Sequence, residues 1–198
     1  MKNKCSANKL TREQDIRAAI MHQILYTTPV TNVFHEFVLG WGVKRIDIAI
    51  INQEHTVGYE IKSDLDTIKR LPEQSAYFEK FFDYCYLVVS PKHLEKSLTI
   101  IPPEWGIYIA QMQLNNVVDL NQLREASLSK NLNAKTMLGV IWKQELLEIL
   151  GLKIAVDWRT RKLTCNDLRE KIIELFSIDE IRDRVRYQLT HRDSWRKK

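Results

Sequence analysis

The sequence predicts an α/β fold in which a mixed β-sheet has flanking helices and a C-terminal helical segment follows. Two segments rich in β-branched and aromatic residues, 45–51 and 57–62, are separated by a polar stretch, a pattern typical of a β-hairpin. Residues 84–89 are apolar without alternation, which indicates a central strand covered on both faces. From residue 134 onwards, apolar residues recur at helical spacing.

The chain is predicted to open with a helix. Thr11 and Gln14 have the spacing of a capping box, and an apolar stripe at helical spacing follows from Ile16. Residues 33–39 fit either a short strand or the end of a helix, and both interpretations stay open. Glu36 lies in this segment, and its neighbours alone make a solvent-facing position as good an interpretation as a functional one.

The hairpin places two acidic residues opposite each other. Alternation puts three side chains on one face of the first strand, namely Ile46, Ile48 and Ile50. With the turn centred between positions 53 and 54, paired positions sum to 107, so Asp47 faces Glu60. Facing carboxylates repel each other, whereas a divalent cation between them would be coordinated by hard oxygen ligands. Lys62 adds an ammonium group on the Glu60 face.

An Asp, followed on the next strand by Glu-x-Lys, resembles the motif of the PD-(D/E)XK nuclease superfamily. The stretch from about Glu36 to Trp105 looks like a poorly characterised family of small bacterial and phage proteins within it. The matching residues are Glu36, Gly42, Asp47, Gly58 to Asp64, Asp66, Arg70, Leu71 and Gln74. One position departs from the superfamily's name, since Ile46 and not Pro precedes Asp47. The resemblance implies a restriction-endonuclease-like core.

The resemblance also implies an activity, the hydrolysis of phosphodiester bonds by a metal-dependent nuclease. We expect an endonuclease with DNA as its substrate. Asp47, Glu60 and the carbonyl of Ile61 are expected to hold Mg²⁺ or Mn²⁺. Lys62 is expected to act on the attacking water or on the phosphate, and Glu36 to assist the metal.

A helix is predicted after the second hairpin strand. Proline is tolerated in a first turn but not in a helix interior, so this helix either begins near Leu71 or is bent at Pro72. Gln74 and Tyr77 share one face and resemble a Gln-Tyr feature that orients active-site groups or a phosphate in many of these nucleases. The alternative is a surface Gln beside a half-buried Tyr. Arg70 is expected to contact a phosphate.

The rest of the chain is predicted to change character. We expect a nuclease-like core over residues 1–114 and a helical appendage with a basic end over residues 115–198. The appendage is predicted to contain a polar loop at 120–133 and three helices, one over 134–150, one beginning with the capping box of Thr164 and Asp167, and one from Ile178 to about Thr190.

Positive charge is concentrated at the C-terminal end. Between Arg182 and Lys198 there are seven basic and two acidic residues, and 7 − 2 = +5 equals the net charge of the whole chain. We expect Arg182, Arg186 and Arg192 to contact nucleic-acid phosphates. Two alternatives stay open, a solvated chain end and a helix that docks or oligomerises.

Composition bounds the partners and the compartment. A pI near 9.0 favours a polyanionic partner. Three widely spaced cysteines favour neither a disulfide framework nor a zinc site, which points to a reducing cytoplasm. We see no apolar signal region after Met1 and no run of the ~20 apolar residues that a membrane span needs. We therefore expect a cytoplasmic protein without membrane association, for which a homodimer is also compatible with the sequence.

Two functions from other classes compete with the nuclease. One is a nucleic-acid-binding module that keeps the fold without turnover. The other is an interaction scaffold in which Lys62 pairs with Asp47 and satisfies the charges without a metal. Magnesium-dependent cleavage separates the nuclease from both.

Overall fold

The computed structural model describes residues 10–25, 32–42 and 44–192. Six strands form one mixed sheet in chain order, with bounds β1 (Val33–Leu39), β2 (Lys44–Ile51), β3 (Thr56–Lys62), β4 (Tyr84–Val89), β5 (Gly106–Met112) and β6 (Val118–Arg124). Strands β1, β2 and β3 pair antiparallel, and β3, β4 and β5 pair parallel. Strand β6 returns antiparallel to β5.

Helices flank this sheet on both faces. Their bounds are α1 (Glu13–Ile20), α2 (Leu71–Phe78), α3 (Leu94–Leu98), α4 (Ala134–Leu138), α5 (Lys143–Leu150), α6 (Trp158–Lys162), α7 (Cys165–Leu175) and α8 (Ile178–His191). Helix α1 packs on one face, while α2, α4, α5, α7 and α8 bury their apolar side chains on the other. The predicted α/β class, with a mixed sheet and flanking helices, is confirmed. Among the described residues, every helix is too short or too polar to cross a bilayer.

The predicted hairpin register is confirmed. Partners from Ile48 with Tyr59 to Ile51 with Thr56 all sum to 107. The alternation expected for β2 is wrong at Ile46, which packs on the face of α2, whereas Ile48 and Ile50 pack on the face of α1. The reason lies in β1, where Glu36 has a left-handed backbone with φ of 55° and interrupts the ladder opposite Asp47. The alternation of side chains therefore shifts at this point, and Ile46 and Ile48 lie on opposite faces of the sheet.

Of the local structures predicted in the first half of the chain, one strand and one helix start are present and one capping box is not. Residues 33–39 form a strand, which settles the open choice, and α2 begins at Leu71 with Pro72 in its first turn. The capping box at Thr11 and Gln14 is wrong, because α1 begins one residue later and the carboxylate of Asp15 accepts from the Arg12 N–H. Thr11 is instead buried, and its N–H donates to Asp64.

The C-terminal half departs from expectation in two places. Residues 118–124 form β6, although a polar loop was expected from residue 120, and the predicted boundary at 114 and 115 lies between two paired strands. The single helix expected over 134–150 is two helices, because the carboxylate of Glu145 accepts from the Trp142 N–H and starts α5 anew. The predicted capping box of α7 and the predicted helix α8 are confirmed.

A buried ion pair joins α8 to the sheet. Asp83, 1% exposed just before β4, accepts hydrogen bonds from the N–H and hydroxyl of Thr56. Arg186 lies 3.3 Å from the same carboxylate, and its guanidinium also donates to the carbonyl of Glu54 at 2.6 Å. The pair therefore fastens α8 to the turn end of the β2–β3 hairpin and to the start of β4.

Replacing Arg186 should show how much this ion pair contributes to the free energy of unfolding. In Arg186→Met the Asp83 carboxylate stays buried and keeps its Thr56 hydrogen bonds, and Arg182, at 3.6 Å, is the cation that remains beside it. Removing one partner of a buried pair costs about 3–5 kcal/mol, so urea should unfold the variant at a clearly lower concentration. The control is Arg184→Met on the exposed side of α8, expected to stay within about 0.5 kcal/mol of the parent. Equal midpoints for both variants would contradict a structural role for Arg186.

Candidate functional site

The candidate site lies where β2 and β3 separate. Their ladder ends at the pair Ile48 and Tyr59, one position before Asp47 and Glu60. Beyond it, the N–H of Ile61 donates to Oδ2 of Asp47 at 2.6 Å. A side-chain carboxylate thus takes the place of a strand carbonyl. This replacement holds Asp47 beside Glu60 without requiring the two strands to pair there.

Glu60 is the centre of a buried polar network. It is 2% exposed, and its Oε1 accepts from Nζ of Lys62 and from Nε2 of Gln74, each at 2.6 Å. Within the described chain, Oε2 of Glu60 and Oε1 of Gln74 have no hydrogen-bond partner. Buried polar atoms are nearly always satisfied, so an unpartnered carboxylate oxygen indicates a missing cation or donor. The structure thus joins three predicted catalytic side chains, and pairs Lys62 with Glu60 and not with Asp47.

Burial and mutual repulsion raise the pKa values of both carboxyl groups. The pKa of Asp47 rises to about 7, first because of burial and then because of the Glu60 charge, against the opposing effects of the Ile61 N–H and Lys62. Burial likewise raises the pKa of Glu60, and Lys62 and Gln74 offset this rise in part. Both carboxyl groups are therefore more readily protonated in the folded protein than in water.

Arg17 and Glu13 belong to the site, although the sequence analysis missed both. The carboxylate oxygens of Glu13, Glu36 and Asp47 lie within 4.8 Å of one another. The Arg17 guanidinium lies between them, 2.7 Å from Glu13, 2.6 Å from Glu36 and 3.6 Å from Asp47. It also donates to the Asp47 carbonyl. The available signal was the i, i+4 pair of Glu13 and Arg17 on one helix face.

The donor set fits a hard divalent cation. Asp47 and Glu60 supply carboxylate oxygens, one of which is buried and without a partner, and Ile61, the residue after Glu60, has a backbone carbonyl. Oxygen ligands of this kind are those that Mg²⁺ and Mn²⁺ prefer. Glu13 and Glu36 are exposed and already paired with Arg17, so they fit the same ion less well.

The other predicted contact residues lie at different distances from this site. Arg70 is exposed at the start of α2, and its charge lowers the pKa of Glu60, which places it near the carboxylate. Tyr77 lies against Gly40, whose positive φ of 56° and lack of a Cβ leave room for the phenol. It is thus a packing contact at the end of β1. The structure therefore brings Arg70 to the site but not Tyr77.

The three C-terminal arginines are not equivalent. Arg186 is buried and paired as described, at the end of the hairpin opposite the site. Arg182 lies 3.6 Å from Asp83 in the same region. Arg192 donates to both oxygens of Glu145 at 2.7 and 2.6 Å and lies over the ring of Trp142. The further basic residues at 196–198 lie outside the described residues. The placements of Arg186 and Arg182 favour structural roles.

Comparison with known proteins identifies the family. The family model described as Bacteriophage P4 protein cII matches residues 6–198, so the chain belongs to that family. It is similar to "Protein cII" of Enterobacteria phage P4, with 26% identity over 177 residues, which are 83% of this chain and 66% of that protein. The chain therefore spans just under two thirds of this relative. No solved structure matches the chain.

Neutralising Asp47 should stabilise the protein in a pH-dependent way. A carboxyl group whose pKa is raised on folding weakens the folded state as pH rises from its unfolded value towards about 7. We expect Asp47→Asn to be more stable than the parent by about 2–4 kcal/mol above neutral pH, and the gain to fade near about pH 4. Urea unfolding across pH measures this gain.

The matched control for this prediction is Asp47→Asn in a Glu60→Gln background. There the gain should be smaller, because the Glu60 charge that raises the Asp47 pKa is absent. If urea unfolds Asp47→Asn at a lower concentration than the parent at every pH, Asp47 is a structural residue and the predicted repulsion between Asp47 and Glu60 is wrong.

Proposed function

We propose that the protein is a metal-dependent nuclease that hydrolyses phosphodiester bonds in DNA. The observation that carries the proposal is the buried Glu60 carboxylate, which is bonded by Lys62 and Gln74, leaves one oxygen without a partner and lies beside Asp47. This combination is costly for a merely structural ion pair, because facing or unpaired buried charges destabilise a fold.

The order of the elements supports a restriction-endonuclease-like core, which remains part of the proposal. A helix precedes three antiparallel strands, a second helix follows, and the next strand runs parallel to the third. Such a parallel pair needs a crossover connection, which residues 63–83 supply. Helix α2 in this connection carries Gln74 to Glu60.

Each site residue has a distinct role in the proposed reaction. Asp47, Glu60 and the Ile61 carbonyl would hold Mg²⁺ or Mn²⁺, which supplies Lewis-acid activation of water and charge neutralisation at the phosphate. Gln74 orients Glu60 by its hydrogen bond. Lys62 places a positive charge where the phosphate gains negative charge. Glu36 assists indirectly, since it positions Arg17 against Asp47.

One observation favours the interaction scaffold as a second candidate. Lys62 is 7% exposed and forms a 2.6 Å ion pair with Glu60, so part of the charge is satisfied by protein alone. A scaffold of this kind needs neither a metal nor a nucleic acid. Binding of a divalent cation at the two carboxylates therefore discriminates between the candidates.

Calorimetric titration with Mg²⁺ and with Mn²⁺ should show one site that depends on Glu60. We expect Glu60→Gln and Asp47→Asn each to lower the affinity at least about tenfold. The control is Glu13→Gln, whose carboxylate is exposed and held by Arg17, and which should leave the affinity nearly unchanged. If Glu13→Gln loses the metal and Glu60→Gln keeps it, the cation belongs to the outer acidic group and the proposed ligand set fails.

Cleavage of supercoiled, linear and single-stranded DNA, and of RNA, should be measured with and without each metal. We expect DNA to be cleaved only with metal, and Lys62→Met to reduce the rate by about 10²–10⁴-fold. Because the variant leaves buried Glu60 without its cation, its melting temperature must be recorded alongside. Lys130→Met, at an 80% exposed side chain, is the control that should keep full activity. A folded Lys62→Met variant with parental cleavage would remove Lys62 from the reaction.

A further inference from the structure

A large groove lies between the edge strand β1 and the C-terminal helices. It encloses about 1370 Å³ and is lined by residues of β1, the start of β2, the α4–α5 connection, the start of α7 and the end of α8. Among them are Phe34, Glu36, Arg45, Trp142, Lys143 and Arg192. Small-molecule pockets usually enclose about 300–1,000 Å³. The volume and open shape of the groove therefore fit a segment of a polymer better than a metabolite.

The lining of the groove is basic. It contains four cationic side chains, Arg45, Lys143, Arg169 and Arg192, and one carboxylate, Glu36. Arg192 is neutralised by Glu145, and Arg169 is buried. Arg45 and Lys143 are exposed, with 62% of the Arg45 side chain accessible. Arg45 and Lys143 are therefore the lining cations that a phosphodiester backbone could reach.

One aromatic ring in the groove is held in place. Trp142 is 47% exposed, and the Arg192 guanidinium lies 4.1 Å from the centre of its ring. The bidentate bond of Arg192 to Glu145 fixes that guanidinium, and Glu145 also accepts a hydrogen bond from the backbone N–H of Trp142. An exposed and preorganised indole next to cations is a stacking platform for an unpaired base.

Ion pairs connect the lining of the groove with the candidate site. Glu36 and Arg45 line it and contact each other at 3.4 Å. Glu36 also bonds Arg17, whose guanidinium reaches Asp47. A chain lying in the groove beside β1 therefore passes the residues that border the proposed metal ligands.

We propose that this groove binds single-stranded DNA, with one base stacked on Trp142 and the backbone beside Arg45 and Lys143. The inference rests on the proposed nuclease function and names its substrate form. A single strand is favoured because base pairing and stacking in a duplex hide the base faces that Trp142 would contact. An added peptide strand would pair with the edge of β1 but would not require the cationic lining.

Fluorescence anisotropy of a labelled oligo(dT), measured in EDTA to prevent cleavage, tests this groove. Trp142→Ala should weaken binding about tenfold, and Trp142→Phe should retain most of the affinity because it keeps a stacking ring. The matched control is Trp158→Ala on α6. Trp158 is 61% exposed, with Arg159 and Lys162 about its ring, but it lies outside the groove lining.

A second variant keeps the test valid if Trp142→Ala folds poorly. Lys143→Ala, at an exposed position, should reduce the slope of log affinity against log salt by about 0.7, the value for one phosphate contact on a single strand. Lys130→Ala should leave the slope unchanged. Equal binding of oligo(dT) by the parent, Trp142→Ala and Lys143→Ala would overturn the proposal, and so would tighter binding of duplex DNA or RNA than of oligo(dT).

The same samples separate this inference from the nuclease proposal. Sedimentation of parent and Trp142→Ala reveals whether the groove holds a second copy of the chain, and a change in mass between them would overturn the DNA assignment. Groove-dependent binding without metal-dependent cleavage supports the groove and rejects the nuclease. Cleavage that is unaffected by both Trp142→Ala and Lys143→Ala supports the nuclease and rejects the groove.

Discussion

The hydrogen bond from the Ile61 N–H to the Asp47 carboxylate is the contact on which the candidate site depends. It gives the Ile61 N–H of β3 an acceptor at the point where β2 no longer pairs with β3. Without it, a buried N–H would lack a partner, or the ladder would continue and force Asp47 directly against Glu60. The Asp47 carboxylate accepts the N–H of the strand and still lies beside Glu60. One hydrogen bond therefore allows the sheet to form next to two neighbouring carboxylates.

Much of this arrangement was accessible from the sequence because it depends on local chain geometry. The polar turn at 52–55 determined the strand register, in which the numbers of paired residues sum to 107. The alternation of side chains along a strand then placed Glu60 and Lys62 on one face. Pro72 limited α2 to two alternatives, a start near Leu71 or a bend, and the structure has the start at Leu71. These features follow from steric rules that act over a few residues.

Other features depend on contacts between distant segments, which periodicity does not encode. The left-handed Glu36 changes the faces of β1 and β2, and Arg17 reaches Asp47 from a helix thirty positions earlier. Charge counting also treated the C-terminal arginines as one group, whereas Arg186 bonds Asp83 and Glu54 and Arg192 bonds Glu145. Polar residues on an edge strand similarly concealed β6.

The position of α8 in the core has a consequence for biosynthesis. Ile181, Val185 and Leu189 pack in the same apolar cluster as Phe37, Ile46 and Phe82, and Arg186 bonds Glu54 across 132 positions of sequence. Contacts of such long range make folding slow, since the ends of a long loop must first meet. The part of the apolar face that α8 covers therefore stays exposed until residues 181–189 have been synthesised, and transiently exposed apolar surface of this kind promotes aggregation.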